Sequence, residues 1–518
     1  MNDKRLNIII VSLFILISPN MWGQHTWNIL DVGGINDGKT INTDTIQSAI
    51  NHLSNSGGGK LVFTKGKYLT GCLQLKSNVK LYLEKGAVLL GSTNPLDYSS
   101  LNIPDKNVVL MHNDYSSLAL IQAYKVHNIS ICGEGCIDGQ GLELALNIDS
   151  LHHTGVLVDP NYNTKRKRPS ENVRPKMFFF SGCNDVEVKG THLKNSASWG
   201  LTFDSCSNLL LNGLSILNRA FWNNDGIDII DCRNVNIANC SVNSADDGIC
   251  LKSYHPDSFN DSINISNCNI ISSASAIKFG TASSGGFKNI TINHIKVYDT
   301  FRSAIAIESV DGGIIENIRI SNLIAKNTGN PIFIRLGHRS GSSVGLIKNI
   351  YISNIKTEVP FGRPDINYNI RGPEVSFFHN SFPSVISGFS GHNIENIHLK
   401  NIKITYPGRA SKGMAYVPLY RLNQVPEFVR DYPEFSMFGE LPAWGFYIRH
   451  VKGITFNNIK LKLKNDDFRP ALVLDDVAGH TINNLLLPKE KNKKQVVLKN
   501  ATNLSTDNID IDSIMYVK

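Results

Sequence analysis

The stretch CNDVEVKG (residues 183–190) is followed by CSNLLLNG (206–213) and CRNVNIAN (232–239), three versions of one pattern. Each carries apolar residues at alternate positions between asparagine and glycine, which is typical of a short β-strand bounded by turns. Further versions run from VHNISICG (126–133) to IENIHLKN (394–401); the early ones lie about 24 to 28 residues apart, and longer insertions separate the later ones. Because one such unit cannot bury its own apolar face, the repeat predicts an all-β fold of stacked coils, a parallel β-solenoid.

The punctuation of the repeat has a structural explanation. Asparagines in register at the turns can hydrogen-bond along the stack, so their frequency requires no role in binding. Cys183, Cys206 and Cys232 each end a strand-like run at the repeat spacing, which favours buried small side chains over a disulfide framework. A single bridge such as Cys132–Cys136 stays open as an alternative.

The N-terminal part predicts export and then a cap. Lys4 and Arg5 precede the apolar run LNIIIVSLFILIS (6–18), a signal-peptide layout, so we expect cleavage near Gly23 and a mature chain of residues 24–518. No later apolar stretch is long enough for a membrane helix, so we expect a periplasmic or extracellular protein. The segment beginning at DTIQSAINHL (44–53) predicts one amphipathic helix that covers the N-terminal end of the solenoid.

Charge and insertions suggest where a partner binds. The net charge of +8 fits an acidic polymer, and equally a solvated surface without a preferred partner. Two segments, at about 142–175 and 405–450, break the repeat, and loops inserted into a solenoid often gather on its binding face. In the second segment the candidates for stacking on a sugar or contacting an anion are Tyr432, Trp444, Phe446, Arg449 and His450.

The sequences NNDG (223–226) and ADDG (245–248) lie about one coil apart. Residues one coil apart in a solenoid stack about 5 Å from each other, so we expect Asp225, Asp246 and Asp247 to converge on one surface. Carboxylates at that distance push their pKa values apart, which suits an acid and a base acting on a glycosidic bond. A calcium site and simple turn caps are the alternatives. Asp228 and Asp231, further along the strand, are interpreted as structural or supporting residues.

These motifs carry a resemblance to a known family. NNDGID (223–228), ADDG, the opening GGGKLVF (57–63) and IDGQG (137–141) make most of the chain similar to glycoside hydrolase family 28, the polygalacturonases and rhamnogalacturonan hydrolases. The resemblance implies a right-handed parallel β-helix and hydrolysis with inversion, without a metal or other cofactor. It also implies that Asp246 is the general acid, that Asp225 and Asp247 position and activate water, and that Asn223 occupies the asparagine position of the motif.

Two further motifs of that family are absent. Where it has Gly-His-Gly, this chain has SSASAIKFG (272–280), with Ser275 at about the histidine position. Where it has Arg-Ile-Lys, which holds the substrate carboxylate, this chain has SAIAIES (303–309), with Ala306 and Glu308 at the basic positions. Either the sugar at the cleavage point is neutral, or charge recognition has moved to other residues. The candidates for the second explanation are Lys252, Lys278, Arg302, Arg335, His338 and Arg339.

The sequence therefore predicts an exported, inverting glycoside hydrolase, exo-acting and monomeric, on pectin-type polysaccharides or oligosaccharides. We expect no nucleic-acid partner and no membrane span. Besides the three aspartates, the substrate-binding candidates are Asn223, Lys278, Arg302, Glu308 and Arg335. A polysaccharide lyase using the aspartates to bind calcium and a carbohydrate-binding β-helix without activity are the alternatives.

Overall fold

The computed structural model describes residues 25–101, 103, 116–365, 379–415, 417–489, 493–507 and 513–517. The predicted signal peptide lies outside the described residues. The fold is all-β, with few helices: α1 (Thr43–Asn55), α2 (Gly141–His153), α3 (Lys412–Ala415) and the short 3-10 turns Ile29–Val32, Pro95–Asp97, Glu171–Val173 and Leu419–Gln424.

Most strands follow one another with short connections. The first thirteen are β1 (Thr26–Asn28), β2 (Asp37–Ile41), β3 (Gly59–Phe63), β4 (Gly66–Thr70), β5 (Leu73–Gln74), β6 (Val79–Leu83), β7 (Ala87–Gly91), β8 (Ala119–Tyr124), β9 (His127–Cys132), β10 (Cys136–Asp138), β11 (Lys176–Ser181), β12 (Asn184–Lys189) and β13 (His192–Lys194). The next ten are β14 (Leu201–Asp204), β15 (Ser207–Asn212), β16 (Ser215–Asn218), β17 (Ile227–Ile230), β18 (Arg233–Ala238), β19 (Ser241–Ser244), β20 (Ile249–Ser253), β21 (Asn260–Ser272), β22 (Ile277–Ser283) and β23 (Gly286–Ser309). The last nine are β24 (Ile314–Leu336), β25 (Leu346–Glu358), β26 (Ser384–Ser387), β27 (Ile394–Tyr406), β28 (Phe446–Leu463), β29 (Leu472–Leu486), β30 (Val496–Lys499), β31 (Thr502–Asp507) and β32 (Ile514–Val517).

Each strand pairs in parallel with the strand one coil later. β14 pairs with β17, β17 with β20, β20 with β22 and β22 with β23, which makes one continuous ladder along the stack. Its inward column is Leu201, Ile227, Ile249, Ile277 and Ile305, all fully buried. β-branched side chains pack well at such positions, so this column explains why the repeat is rich in isoleucine. The predicted all-β fold is confirmed, and parallel pairing of successive strands runs through the described chain.

The repeated cysteines stack inside the coils. Cys183, Cys206 and Cys232 are buried, and the backbone N–H of Cys206 lies 3.3 Å from the sulfur of Cys232. None of the nine cysteines forms a disulfide, so Cys132 and Cys136 are unbridged. Buried thiols fill space here as small apolar side chains.

The asparagines form the predicted ladder. The longest run joins Asn293, Asn322, Asn354, Asn401, Asn458 and Asn484 through side-chain amide bonds of 2.8 to 3.0 Å. From Asn322 onward each has a positive φ, 56° at Asn354, a left-handed conformation that asparagine tolerates better than most residues. Asparagine therefore suits these positions for two reasons: its backbone tolerates a positive φ, and its side-chain amide bonds to the next coil.

Helix α1 packs on the first coils. It buries Ile46, Ala49, Ile50 and Leu53 and contacts β3 and β5. The spacing of these residues is that of one apolar face of a helix, as the sequence predicted.

The first insertion contains α2 and an irregular segment that reaches back to the coils. Arg174 is fully buried and donates to the carbonyls of Ala197 (2.6 Å) and Trp222 (2.7 Å) and to Oδ1 of Asn223 (2.9 Å). One guanidinium thus ties the insertion to two successive coil turns. Helix α2 itself was not predicted from the sequence.

The second insertion occupies residues 407–445, between β27 and β28. It covers the outer face of the later coils and makes a second apolar core with them. From the insertion come Leu422, Val425, Phe435, Phe438 and Leu441, and from the coils Phe333, Val385, Tyr447, Val473 and Val497. An outer sheet face that would otherwise be exposed is buried there, and the edge of the insertion stands next to the site described below.

The asparagine ladder predicts a stability difference between two variants of one residue. Asn354→Ala removes two ladder bonds. It also places alanine, which tolerates the left-handed backbone less well than asparagine, at a φ of 56°. We therefore expect the free energy of unfolding to fall by about 1–3 kcal/mol. Asn354→Gly removes the same bonds and keeps the backbone unstrained, so it should be about 1 kcal/mol more stable than the alanine variant. Urea denaturation measures both; equal stability of the alanine and wild-type proteins would contradict this account.

Candidate active site

A polar cleft of about 340 Å³ lies on the outer face of the ladder from β14 to β22. All three predicted catalytic aspartates line it. The full lining is Glu171, Trp199, Asn223, Asp225, Asp246, Asp247, Lys252, Tyr254, Lys278, Gly280, Thr281, Ala282, Arg339 and Tyr432. The coils supply its floor, while Glu171 and Tyr432 come from the two insertions.

The coil register explains how the aspartates meet. The backbone N–H of Gly226 donates to the carbonyl of Asp247 (2.9 Å), and that of Asp246 donates to the carbonyl of Asn224 (3.2 Å). Asp225 therefore lies opposite Asp247, not Asp246. Asp225 and Asp247 are buried, whereas Asp246 is partly open to the cleft.

Lys252 bridges two aspartates beneath the cleft. Its Nζ lies 2.9 Å from Oδ2 of Asp225 and 2.5 Å from Oδ1 of Asp228, and 3.5 Å from the centre of the Trp199 ring. Asp228 is fully buried. The sequence interprets Asp228 as a structural or supporting residue, and in the structure it shares a counterion with Asp225.

Lys278 plays the same part for the third aspartate. Its Nζ lies 3.0 Å from Oδ2 of Asp247 and donates to the hydroxyl of Tyr432 (3.1 Å). The backbone N–H of Ser275, at the expected histidine position, donates to Oδ1 of Asp247 (3.1 Å). Both oxygens of Asp247 are therefore held.

These contacts shift the pKa values of the neighbouring residues Asp246 and Asp247 in opposite directions. Burial and the charge of Asp247 raise the pKa of Asp246 above its usual range. Burial would also raise the pKa of Asp247, but Lys278, Arg302 and Lys252 outweigh it and hold that pKa below its usual range. Of two adjacent carboxyls, one thus keeps its proton to higher pH and the other ionises readily.

Asp225 and Asp228 compete for a single ammonium group. Burial raises the pKa of both, well above its usual range at Asp225, against the pull of Lys252. Burial opposes the charge of Lys252, but the two carboxylates raise the pKa of Lys252 well above its usual range, so the ammonium stays charged.

Arg302 and Glu308 are buried and do not line the cleft. Nε of Arg302 lies 3.4 Å from Oε1 of Glu434, in the second insertion. Glu308 is 2% exposed, and its Oε2 has no hydrogen-bond partner among the described residues. Burial raises the pKa of Glu308 to about 8, with Lys278 opposing the rise. Both act on the site through other residues rather than by facing it.

Arg335 is a correction to the predicted set. It is 1% exposed, and its guanidinium donates to the hydroxyl of Ser387 (3.1 Å), the carbonyl of Gly388 (2.8 Å) and the carbonyl of Glu427 in the second insertion. The prediction of a substrate contact is wrong, because these donors hold the insertion against the coils. Trp444 and Phe446 are likewise core residues rather than sugar-stacking ones.

Trp199, Tyr254 and Glu171 line the cleft but were not predicted. Trp199 follows SAS in a coil turn, where an aromatic residue beside the acidic coils could have been noticed. Glu171 has no recognisable signal, because its position depends on the path of the insertion. Its carboxylate lies 3.4 Å from Arg174, which itself binds Asn223.

Stacked parallel coils that gather paired carboxylates in one cleft have the chemistry of a glycoside hydrolase. The family model for glycosyl hydrolases family 28 matches residues 101–424, more than half of the chain. The chain therefore belongs to glycosyl hydrolases family 28.

Relatives of the chain are named as polygalacturonases. It is 27% identical over 63% of its length to a "Probable polygalacturonase" of Vitis vinifera, and the match spans 60% of that protein. It is 26% identical over 61% of its length to an "Endo-polygalacturonase" of Pectobacterium carotovorum subsp. carotovorum, spanning 77% of that protein.

A solved structure shares the fold. A hyperthermoactive exopolygalacturonase from Thermotoga maritima aligns with a TM-score of 0.56 and 21% identity, covering 74% of this chain and 87% of that one. Similar proteins thus carry both endo and exo names. In the described part of the chain no helix is long and apolar enough to cross a membrane.

Glu308 predicts a pH-dependent stability. Between pH 4.5 and about 8 this carboxyl is ionised in the unfolded chain but protonated in the folded one, so stability falls as pH rises through that window. Glu308→Gln removes this effect, and we expect the variant to gain ~3 kcal/mol over wild type at pH 8 and little at pH 5. Urea denaturation across this range measures the gain, with the exposed Glu134→Gln as control. A gain independent of pH would contradict the burial of an unpaired carboxyl.

Proposed function

We propose that the chain is an exported glycoside hydrolase that cleaves pectin-type polysaccharides or oligosaccharides with inversion. The observation that carries this is one cleft that holds Asp225, Asp246 and Asp247, with Lys278 3.0 Å from Asp247 and Asp246 partly open. In this setting the pKa of Asp246 is raised and that of Asp247 is lowered. Family membership and polygalacturonase relatives support the substrate class.

Asp246 acts as the general acid. It is the most open of the three aspartates. Of the adjacent pair Asp246 and Asp247, it keeps its proton to the higher pH. Its proton passes to the glycosidic oxygen as the bond from that oxygen to the anomeric carbon breaks.

Asp247 acts as the base, and Asp225 positions the water. The ionised Asp247, held by Lys278 and Ser275, takes a proton from the water that attacks the anomeric carbon from the opposite face. Asp225 is fixed by Lys252 and binds the same water. Attack opposite to the leaving group inverts the anomeric configuration.

Exo action fits the walls of the cleft. Glu171 and Tyr432 reach it from two different insertions, which supports a short site that receives the end of a sugar chain. We further propose one domain over residues 24–518, a right-handed parallel β-helix whose N-terminal end is capped by α1.

Calcium-dependent elimination gains no support from the cluster. Lys252 and Lys278 already provide the positive charge that the aspartates need, and a calcium ion would compete with them.

Single substitutions of the aspartates test these roles. Asp246→Asn and Asp247→Asn should each lower kcat on pectic oligosaccharides by about 10²–10⁴-fold. On a glycosyl fluoride, whose leaving group needs no acid, Asp246→Asn should regain most of its activity while Asp247→Asn should not. Asp185→Asn, at an exposed ladder position, is the matched control and should keep wild-type activity.

Proton NMR of the first-formed anomer tests inversion in the same reactions. Retention of configuration, full activity of all three asparagine variants at positions 225, 246 and 247, or a UV-absorbing unsaturated product would each contradict the proposal.

A further inference from the structure

The cations that line the cleft are all engaged by carboxylates. Lys252 binds Asp225 and Asp228, and Lys278 binds Asp247. Arg339 holds Asp311 with two hydrogen bonds, from Nε to Oδ1 at 3.0 Å and from Nη2 to Oδ2 at 2.7 Å. A uronate entering the cleft would therefore meet cations whose charge is already compensated by these carboxylates.

The ion pair between Arg339 and Asp311 stabilises the fold and does not readily accept a substrate carboxylate in place of Asp311. Asp311 is 2% exposed, and its oxygens also accept hydrogen bonds from the hydroxyl of Ser340 and the backbone N–H of Ser283. Removing Arg339 from it would leave a buried carboxylate without its counterion, which is strongly unfavourable. Arg339 is therefore held by the fold and is a poor receptor for a second carboxylate.

The neighbouring coil offers no replacement. Ala306 lies next to Lys278 in the strand register and carries no charge, and Glu308 follows two residues later on the same face. Glu308 is buried near enough to Lys278 to influence its pKa, but its carboxyl keeps its proton up to a pH of about 8. The cation of that coil, Arg302, is buried, lies 3.4 Å from Glu434 and does not line the cleft.

We propose that the sugar whose anomeric carbon is attacked is a neutral sugar, not a uronate. This rests on the proposed function and narrows it: the polymer is acidic pectin-type material, but the bond cleaved is the one that releases a neutral residue. Among the described residues, each cation that lines the cleft is already paired with a carboxylate, so a uronate would find no uncompensated positive charge on the cleft wall, and like charges disfavour its binding.

The experiment offers wild-type enzyme three kinds of defined pectic oligosaccharide: a pure oligogalacturonide, an oligomer of alternating rhamnose and galacturonate, and a neutral side-chain oligomer. Every cleavage frees one anomeric carbon, and labelling the new reducing end identifies its sugar. We expect neutral reducing ends only, with kcat/KM on the best neutral-releasing bond exceeding that on the oligogalacturonide by about 100-fold or more. Asp246→Asn, run in parallel, should abolish the release.

The outcomes separate the two proposals. Galacturonate as the new reducing end, lost in Asp246→Asn, would overturn the neutral-sugar proposal and leave the hydrolase standing. Cleavage of none of the three by the wild-type enzyme, or cleavage unaffected by Asp246→Asn, would overturn the proposed function and this inference with it. A neutral reducing end that disappears in the variant supports both.

If the wild-type enzyme also releases uronate slowly, the rates of uronate and neutral-sugar release by the Lys278→Met variant provide a second test. If Lys278 were the uronate receptor, the variant would lose uronate release selectively, which would contradict the proposal. Under the proposal, Lys278→Met lowers the rates of uronate and neutral-sugar release by the same factor, because Lys278 acts through Asp247.

Discussion

The site depends on two buried ammonium groups. Four aspartates on adjacent coils, three of them buried, would repel one another strongly in a low-dielectric environment. Lys252 and Lys278 pair with three of them at 2.5 to 3.0 Å, and neither lysine forms such a pair with Asp246. That asymmetry produces the difference in acidity between Asp246 and Asp247. The same ion pairs compensate the positive charges of Lys252 and Lys278, which would otherwise attract an anionic sugar.

The repeat architecture makes this arrangement possible at low cost. The strand register alone brings Asp225 opposite Asp247, and the column that contains Asp228 continues through Cys250 to Lys278. Charges on the outer side of the sheet are backed by fully buried isoleucines on its inner side, so the site needs no special backbone support. The insertions then complete the cleft, and buried arginines (Arg174 and Arg335) hold them against the coils.

The sequence was informative wherever the repeat applies. Stacked parallel strands, the asparagine ladder, buried cysteines, the apolar face of α1 and the meeting of the three aspartates all follow from residues that recur at a fixed spacing. The ion pair between Asp228 and Lys252 could not be predicted, because strand position alone does not show which carboxylate a lysine will reach. Arg335 was misjudged because its partners are backbone carbonyls of an insertion, whose path no repeat predicts. Glu171 reaches the cleft for the same reason and was equally hard to assign, whereas the aromatic composition of the second insertion pointed to Tyr432.

The central claim is that Lys278 keeps Asp247 ionised while Asp246 retains its proton. A pH titration of 13C-labelled aspartate carboxyls by NMR, assigned with Asp246→Asn and Asp247→Asn, measures this directly in the wild-type enzyme. The account predicts that Asp247 ionises first, and that Asp246 follows only at a pH above the usual range for aspartate. It also predicts that Lys278→Met moves the Asp247 transition to higher pH. Ionisation of Asp246 before Asp247, or an Asp247 transition unchanged in Lys278→Met, would contradict it.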